Sequence, residues 1–209
     1  MMKRKLRAFT LVELLVVMAI LGVLIALLLP QIGRASERAN RSRCAAQLKQ
    51  MLIGFNMYAS DEGAYPKATT SDPSGSAGWR GAIEKYWGGK NEITMCPTAV
   101  KSHGFKGWTL MMNQNLAGRS FGGAAPGSIP LPANRTTKTI LCGDGHYAEQ
   151  GTDDNRWTGI DCDKEPPDFE HDGGANFIFC DGHLMYLDKK KALLPHLWDP
   201  TRPLPDNAQ

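Results

Sequence analysis

The feature that most constrains the fold of this chain is a long apolar run near its N-terminus. The run extends from Phe9 to Leu29 and contains a single charged residue, Glu13. At 1.5 Å per residue, a helix over this run is about 30 Å long, which is enough to cross the hydrocarbon core of a bilayer. The sequence therefore predicts a membrane-spanning helix at residues 9–29.

The flank of this run indicates its orientation. Four basic residues precede it, namely Lys3, Arg4, Lys5 and Arg7. By the positive-inside rule, residues 1–8 stay in the cytoplasm and the rest of the chain lies outside. A secretory signal has a shorter apolar core followed by a small-residue cleavage site. Here the small residue, Ala8, comes before the run, so cleavage there would remove the charged leader and keep the helix.

Glu13 is the second informative feature, because a carboxylate within a membrane span is costly and usually functional. A plain signal anchor gives no reason for it. The residues around it, Arg-Ala-Phe-Thr-Leu-Val-Glu-Leu-Leu-Val-Val at 7–17, resemble the N-terminal processing motif of type IV pilins and type II secretion pseudopilins.

The resemblance implies a role for each residue of this motif. A prepilin peptidase/methyltransferase would cut between Ala8 and Phe9 and methylate Phe9, and Glu13 would help subunits dock. The family usually has Gly before the cut, where this chain has Ala8. The implied partners are this peptidase, other pilin or pseudopilin subunits and membrane lipid. The implied location is the cytoplasmic membrane, and then a pilus or pseudopilus in the periplasm or at the cell surface.

The helix is expected to continue beyond the membrane as an amphipathic segment at residues 30–60. Pro30 should bend the helix or mark its exit from the bilayer. Apolar residues at helical spacing form one stripe that should pack on the following domain; they are Leu48, Met51, Leu52, Phe55 and Tyr58. The segment 61–66, Asp-Glu-Gly-Ala-Tyr-Pro, predicts the end of the helix.

Charge divides the chain at the same place. Residues 1–60 hold nine Lys and Arg against two Asp and Glu, whereas residues 61–209 hold fifteen against nineteen. The overall charge of +3 therefore combines a basic membrane-proximal end with a mildly acidic exported part. The basic side chains of 34–49 suit a solvated helix face, or contact with anionic lipid or a partner pilin, and no nucleic-acid partner is expected.

The exported part, residues 61–209, is long enough for one domain. The pattern predicts a strand at Thr139–Cys142, stopped by the following Gly-Asp-Gly, and an irregular loop at 118–132. It predicts two further strands at 175–180 and 183–187, joined by a tight Asp181-Gly182 turn. The predicted fold class is α+β and pilin-like, with one long N-terminal helix on an antiparallel sheet with long loops.

The C-terminal part carries a second resemblance. His171 is followed by nine residues and then by Asp181 and Gly182. This pattern is similar to the C-terminal H-x9-DG motif of pilin-like proteins of planctomycetes and related bacteria. Cys96-Pro97 and Gly143-Asp144 match further landmarks of that group. The resemblance implies an architecture rather than an activity.

Three interpretations of this tail are open. In the first, Asp181-Gly182 forms the turn and His171 bonds a nearby backbone group. In the second, the acidic loop that includes Asp161 and Asp163 binds calcium through its carboxylates. In the third, histidines and aspartates of the tail form a catalytic site, but no hydrolase or metalloprotease signature is present. We expect no catalytic residues, and no cofactor apart from this calcium.

The five cysteines, Cys44, Cys96, Cys142, Cys162 and Cys180, contain no C-x-x-C pair, which argues against zinc. Disulfides are permitted outside the cytoplasm. Cys142 and Cys180 end two predicted strands and are the expected pair, with Cys96–Cys162 as a weaker alternative and Cys44 left over. The other interpretation is that several of them are buried thiols acting as small apolar residues.

Taken together, these features predict a structural subunit of a type IV pilus-like filament or a type II secretion pseudopilus rather than an enzyme. The alternative is a signal-anchored extracytoplasmic domain that binds a ligand or calcium, or that acts as an enzyme. A third candidate is a pilin that binds DNA or a surface, which would need a basic exposed tip. The acidic balance of the exported part argues against DNA.

Overall fold

A computed structural model provides the structure of this chain. It divides the chain into two units, Met1–Ala39 and Asn40–Gln209. The residues it describes are 11–67, 79–88, 91–103, 109–121, 129–145 and 167–205.

The first element is one continuous helix, α1, at Leu11–Glu62. It passes through Pro30, so the predicted exit at this proline does not interrupt the helix. The predicted end at residues 61–66 is confirmed. Gly63 adopts the left-handed conformation, with φ of 74°, and its N–H donates to the carbonyl of Ala59 at 2.9 Å. This αL residue is a common way to close a helix, and glycine adopts it without a Cβ penalty.

Within the first unit, α1 presents an apolar surface. The large apolar side chains between Leu11 and Leu29 are all exposed. Among the described residues, α1 is the one helix long and apolar enough to cross a membrane, by length and composition. The predicted membrane span is thus compatible with the helix.

Within the second unit, the predicted apolar stripe of α1 lies in the core. Leu48, Met51 and Phe55 are fully buried, and Leu52 and Tyr58 pack partly against them. Phe55 stacks on Trp79, the first residue of helix α2 (Trp79–Trp87), with ring centroids 5.4 Å apart. The 3.6-residue period therefore identified the buried face correctly.

A four-stranded antiparallel sheet packs with this helix, in the order β1-β4-β5-β6. The strands of the chain are β1 (Leu110–Met112), β2 (Arg119–Phe121), β3 (Ile129–Leu131), β4 (Ile140–Asp144), β5 (Gly174–Phe179) and β6 (Leu184–Asp188). The predicted α+β architecture, a long helix followed by an antiparallel sheet, is confirmed.

Two local predictions about strands were wrong. The segment 118–132 is not wholly irregular, because β2 and β3 pair in parallel, with Ser120 opposite Pro130. Gly143 and Asp144 do not stop the strand that precedes them but belong to β4, where Gly143 pairs with Phe177. Glycine is depleted in strands on average, yet tertiary pairing overrides that preference here.

The β5–β6 connection is close to the prediction. Asp181 and Gly182 lie in it as expected, and Gly182 has a positive φ of 91°. The turn is longer than the predicted two residues, since Phe179 N–H donates to the carbonyl of His183 at 2.9 Å. Asp181 accepts from the backbone N–H of His183 at 3.1 Å. This aspartate bond stabilises the wider turn.

Both faces of the central strand β5 are covered, so all of its residues are buried. Asn176 points towards α1, since its amide donates to the carbonyl of Arg41 at 3.3 Å. The next residue, Phe177, meets Trp198 edge-to-face on the other side, with centroids 5.7 Å apart. Successive strand residues point to opposite faces, so the sheet is sandwiched between α1 and the C-terminal segment. That segment contains α4 (Lys189–Ala192) and α5 (Pro195–Trp198).

Candidate functional site

The predicted processing and docking residues lie at the N-terminal end of the chain. Ala8 and Phe9 fall outside the described residues, so cleavage and methylation there stay predictions. Glu13 lies in the first turn of α1 and is exposed, among exposed apolar neighbours. A carboxylate on an apolar helix surface suits a docking role, which stays a prediction.

A second candidate site lies in the interior of Asn40–Gln209, where four polar side chains from distant segments meet. They are Cys44 of α1, Cys96 just before helix α3 (Pro97–His103), Asp144 at the end of β4, and His171 just before β5. Each is at most 2% exposed. One ligand atom of each lies within 4.8 Å of those of the other three.

The contacts within this Cys–Cys–Asp–His cluster are close. Cys44 Sγ lies 3.0 Å from Asp144 Oδ1, and Cys96 Sγ lies 3.3 Å from His171 Nε2. His171 Nε2 is also 3.8 Å from Asp144 Oδ2. Two thiols, a carboxylate and an imidazole therefore point their donor atoms at one volume, and all of these groups can ligate a transition metal.

Neighbouring backbone groups hold two of these side chains in place. Thr109 Oγ1 accepts a hydrogen bond from the Cys96 N–H, and the Thr109 carbonyl accepts from the N–H of Gly145 at 2.8 Å. Thr109 thus ties the Cys96 segment to the end of β4. The Asn176 N–H donates to Asp144 Oδ2 at 2.8 Å, which orients the carboxylate from the neighbouring strand.

His171 is held both through its backbone and through its ring. Its N–H and carbonyl exchange hydrogen bonds with Gly174, each at 3.0 Å, and its carbonyl also accepts from the Tyr186 hydroxyl. Its Nδ1 lies 3.4 Å from Thr98 Oγ1. In one tautomer Nδ1–H donates a hydrogen bond to Thr98 Oγ1 and Nε2 presents its lone pair to Cys96 and Asp144; in the other, Nε2–H donates to Cys96 Sγ.

Burial shapes the electrostatics of the cluster. Desolvation raises the pKa of Asp144 to about 7, with the nearby Cys96 as a second cause. The pKa of the Cys96 thiol is lowered, chiefly by a hydrogen bond from Cys44 and, despite burial, by another from His171. The pKa of Cys44 is raised by the same pairing and by burial. The cluster therefore concentrates acidic groups that a cation would stabilise.

These positions change two interpretations of the sequence. The argument against zinc used local C-x-x-C spacing, and this spacing is a poor guide when the ligands come from four separate segments. Cys44, left over in the predicted pairing, is a member of the cluster. Cys96, Asp144 and His171 each lie in a motif that the sequence singled out, but no pattern in the chain linked them to Cys44.

One interpretation of the C-terminal motif gave Asp181 and Gly182 a turn and His171 a bond to a nearby backbone group. Asp181 and Gly182 do form the turn. His171 bonds the backbone of Gly174 through its own N–H and carbonyl, while its side chain faces Cys96, Asp144 and Thr98. His183 and Asp181 pair with each other at 2.6 Å, half-exposed, at the opposite end of β5.

The predicted Cys142–Cys180 disulfide is wrong. Both residues are free and buried thiols. The register places Cys142 opposite Ile178, whereas the N–H of Cys180 bonds the carbonyl of Thr139. Because β4 and β5 run antiparallel, their C-terminal ends point in opposite directions, so the two strand ends that the sequence suggested were equivalent do not face each other. Burial raises the pKa of both thiols, as expected for inert core residues.

Several sequence candidates lie outside the described residues. These are Asp161 and Asp163, so calcium binding in the acidic loop stays a prediction. Cys162 lies outside as well, while Cys96, its predicted partner in the weaker alternative, is a free thiol in the buried cluster.

Known proteins match at most about a third of this chain's length. The family model for the prokaryotic N-terminal methylation motif matches residues 3–29. Type II secretion system core protein G of Pseudomonas aeruginosa is 36% identical over 66 residues, which is 32% of this chain and 46% of that protein. The corresponding protein of Klebsiella pneumoniae is 38% identical over 60 residues, covering 29% of this chain and 43% of that protein.

A pilus protein is similar to the same extent. The type IV wide pilus major component PilA4 of Thermus thermophilus is 39% identical over 62 residues, covering 30% of this chain and 47% of that protein. This chain thus spans less than half the length of the curated relatives it matches. No solved structure matches it significantly. The chain is thus similar to type II secretion pseudopilins and to a type IV pilin over part of its length, it carries the N-terminal methylation motif, and it has a long helix followed by an antiparallel sheet.

Proposed function

We propose that this protein is a structural subunit of a type IV pilus-like filament or a type II secretion pseudopilus. The observation that carries the proposal is the N-terminal methylation motif at residues 3–29. The exposed apolar surface of α1 and the similarity to pseudopilins and a pilin support it. The chain is made as a membrane prepilin, cut between Ala8 and Phe9 by a prepilin peptidase, and methylated on Phe9.

Glu13 supplies the electrostatic part of assembly in this proposal. A carboxylate in a low-dielectric environment is stabilised by a cation close to it. The amino group of Phe9 on a neighbouring subunit is such a cation, and it is created by the cleavage itself. Pairing of Glu13 with this group sets the register between subunits that meet head-to-tail without closing into a ring.

Mass spectrometry of the mature N-terminus tests the processing step. We expect the protein isolated from cells to begin at N-methyl-Phe9, and to keep residues 1–8 when the prepilin peptidase is deleted. A chain that keeps residues 1–8 in peptidase-positive cells would contradict the proposal and favour a plain signal anchor.

Assembly is tested with Glu13→Ala, and with Glu37→Ala as a matched control elsewhere on α1. We expect Glu13→Ala protein to insert in the membrane at normal levels but to be missing from sheared filaments or cross-linked oligomers. The control should assemble, because Glu37 lies outside the apolar run. Normal assembly of Glu13→Ala would refute the docking role.

A further inference from the structure

The Cys–Cys–Asp–His cluster is not used by the proposed assembly function, and its chemistry calls for a separate explanation. Its four members come from α1, the segment before α3, β4 and the segment before β5. Buried carboxylates and imidazoles are expensive to desolvate unless they are paired or coordinate a metal. From this convergence we propose that Cys44, Cys96, Asp144 and His171 bind one zinc ion as a closed, structural site.

The spacing of the donor atoms supports a tetrahedral ion. Zinc lies about 2.0–2.3 Å from nitrogen, oxygen and sulfur ligands, so the edges of the ligand tetrahedron are about 3.3–3.8 Å long. The three contacts within the cluster are 3.0, 3.3 and 3.8 Å. All of the ligand atoms lie within 4.8 Å of one another. Small side-chain adjustments therefore suffice to enclose the ion.

The type of ligand selects the metal. Thiolates are soft ligands that suit zinc and are poorly matched to calcium or magnesium, which take oxygen ligands. The carboxylate of Asp144 and the imidazole of His171 are both ordinary zinc ligands. Two thiolates and one carboxylate leave the occupied site with one net negative charge, less than the Cys₄ structural sites carry. Binding releases the thiol protons to solvent.

The groups around the cluster have the form of a second coordination shell. Asn176 donates its N–H to Asp144 Oδ2, and Thr98 faces the Nδ1 of His171. The Cys96 N–H is anchored by Thr109. Such contacts hold ligands in orientation and are typical of protein metal centres. With four protein ligands and negligible exposure, the site has no open position for substrate, which fits a structural role.

The site would join α1 to the sheet. Cys44 is on the helix, whereas Asp144 belongs to the strand next to β5 and His171 leads into β5. A metal shared by these elements adds a strong crosslink beside their direct polar contacts, such as the 3.3 Å bond from Asn176 to Arg41. Removing the ion should therefore loosen the helix from the sheet.

A disulfide between Cys44 and Cys96 is the competing chemistry, because the two sulfur atoms lie within 4.8 Å of each other and an exported domain is open to oxidation. A disulfide would take the two thiols away from Asp144 and His171 and leave both side chains buried. The experiment therefore measures metal and thiols on the same sample. Full-length mature protein is purified in detergent without chelator, and its metals and free thiols are counted.

We expect about one zinc per chain, with thiols that react only after chelation and denaturation. Cys44→Ser, Asp144→Asn and His171→Ala should each reduce zinc to near zero. Cys180→Ala, a matched buried thiol outside the cluster, should keep it. The double variant Asp161→Ala/Asp163→Ala should also keep it, which separates this site from the predicted calcium loop.

Two further measurements separate a variant that has lost a metal ligand from one that has simply failed to fold. One is a variant that exchanges one ligand type for another, and the other is the absorption spectrum after cobalt replaces zinc. His171→Cys replaces one zinc ligand by another and should retain the ion. Cobalt exchanged into the wild-type protein should show the visible absorption of a tetrahedral site and thiolate charge transfer, both absent in Asp144→Asn. A Cys44–Cys96 disulfide would overturn the proposal, and so would thiols that stay metal-free after dialysis against zinc. It would also be overturned if the site held iron or copper instead of zinc, or if Cys44→Ser, Asp144→Asn and His171→Ala retained zinc.

Discussion

At the scale of single residues, Gly143 shows how one missing side chain decides the packing of two strands. It lies opposite Phe177 in the β4–β5 pair. A Cβ placed on it would be 2.2 Å from Phe177 Cδ1 and 2.8 Å from the carbonyl oxygen of Asn176. Real Cβ atoms do not approach so closely, so the aromatic ring occupies the space that only glycine leaves free.

We therefore expect Gly143→Ala to destabilise the protein by about 1–3 kcal/mol, as overpacked cores do. Thermal unfolding of the detergent-solubilised chain, followed by circular dichroism, measures the change. Gly33→Ala is the control, because a Cβ at that position meets nothing within 4 Å and alanine is the better helix former. Equal melting temperatures for Gly143→Ala and the wild type would contradict this account.

A second residue, Asn113, connects parts of the chain that the sequence leaves unrelated. It is fully buried. Its amide donates to the carbonyls of Ile140 and Trp198 at 2.7 and 2.8 Å, and its Oδ1 accepts from Asn115 N–H at 3.0 Å. One side chain thus forms hydrogen bonds with backbone groups of β4, of the C-terminal segment and of its own turn. A single sequence shows a polar residue at this position but gives no sign of these partners.

At the scale of elements, the second half of α1 contributes one face to the core, and its apolar period predicts which face that is. Phe55 is fully buried between Trp79, which stacks on it, and Tyr65, whose ring meets it edge-on at 6.3 Å. Ile53, two residues away, is 57% exposed. The same helix therefore carries a core face and a solvent face.

We expect Phe55→Ala to cost about 3–5 kcal/mol, because it removes a large side chain and leaves a cavity among aromatic rings. Ile53→Ala, on the exposed face, should change stability by less than about 0.5 kcal/mol. Chemical denaturation of the two variants in the same detergent tests this. A similar loss for both would mean that the stripe does not form the core contact described.

The cysteines show where element-level reasoning fails. The prediction took Cys142 and Cys180 as the ends of two strands, yet Cys142 lies inside β4 and the antiparallel pairing places it opposite Ile178. A strand's register is set by all of its contacts at once. Its position relative to its neighbour therefore cannot be obtained from the residues of one strand.

At the scale of the whole molecule, the chain combines an apolar, basic N-terminal part with a mildly acidic remainder. This asymmetry and the leader residues predict that 61–209 lie outside the cytoplasmic membrane. Protease added to cells stripped of their outer envelope should digest this part without permeabilisation. A cytoplasmic marker protein should survive the same treatment. Protection of residues 61–209 until the membrane is opened would reverse the assigned orientation.

The sequence by itself determined the features that depend on neighbours along the chain. The apolar run, the buried stripe of α1, the end of that helix and the Asp181-Gly182 turn arise from local periodicity and from the conformational preferences of glycine. The N-terminal motif is likewise contiguous, so its residues can be recognised from their order alone.

Only the tertiary structure decided what depends on long-range pairing. It put Gly143 and Asp144 inside β4, left Cys142 and Cys180 as free thiols, and brought Cys44 to within contact of Asp144, a hundred residues away. The physical reason is that side-chain contacts across a core depend on strand register and helix placement, which every packed residue sets jointly. The four-residue cluster is therefore invisible along the chain and evident in the fold.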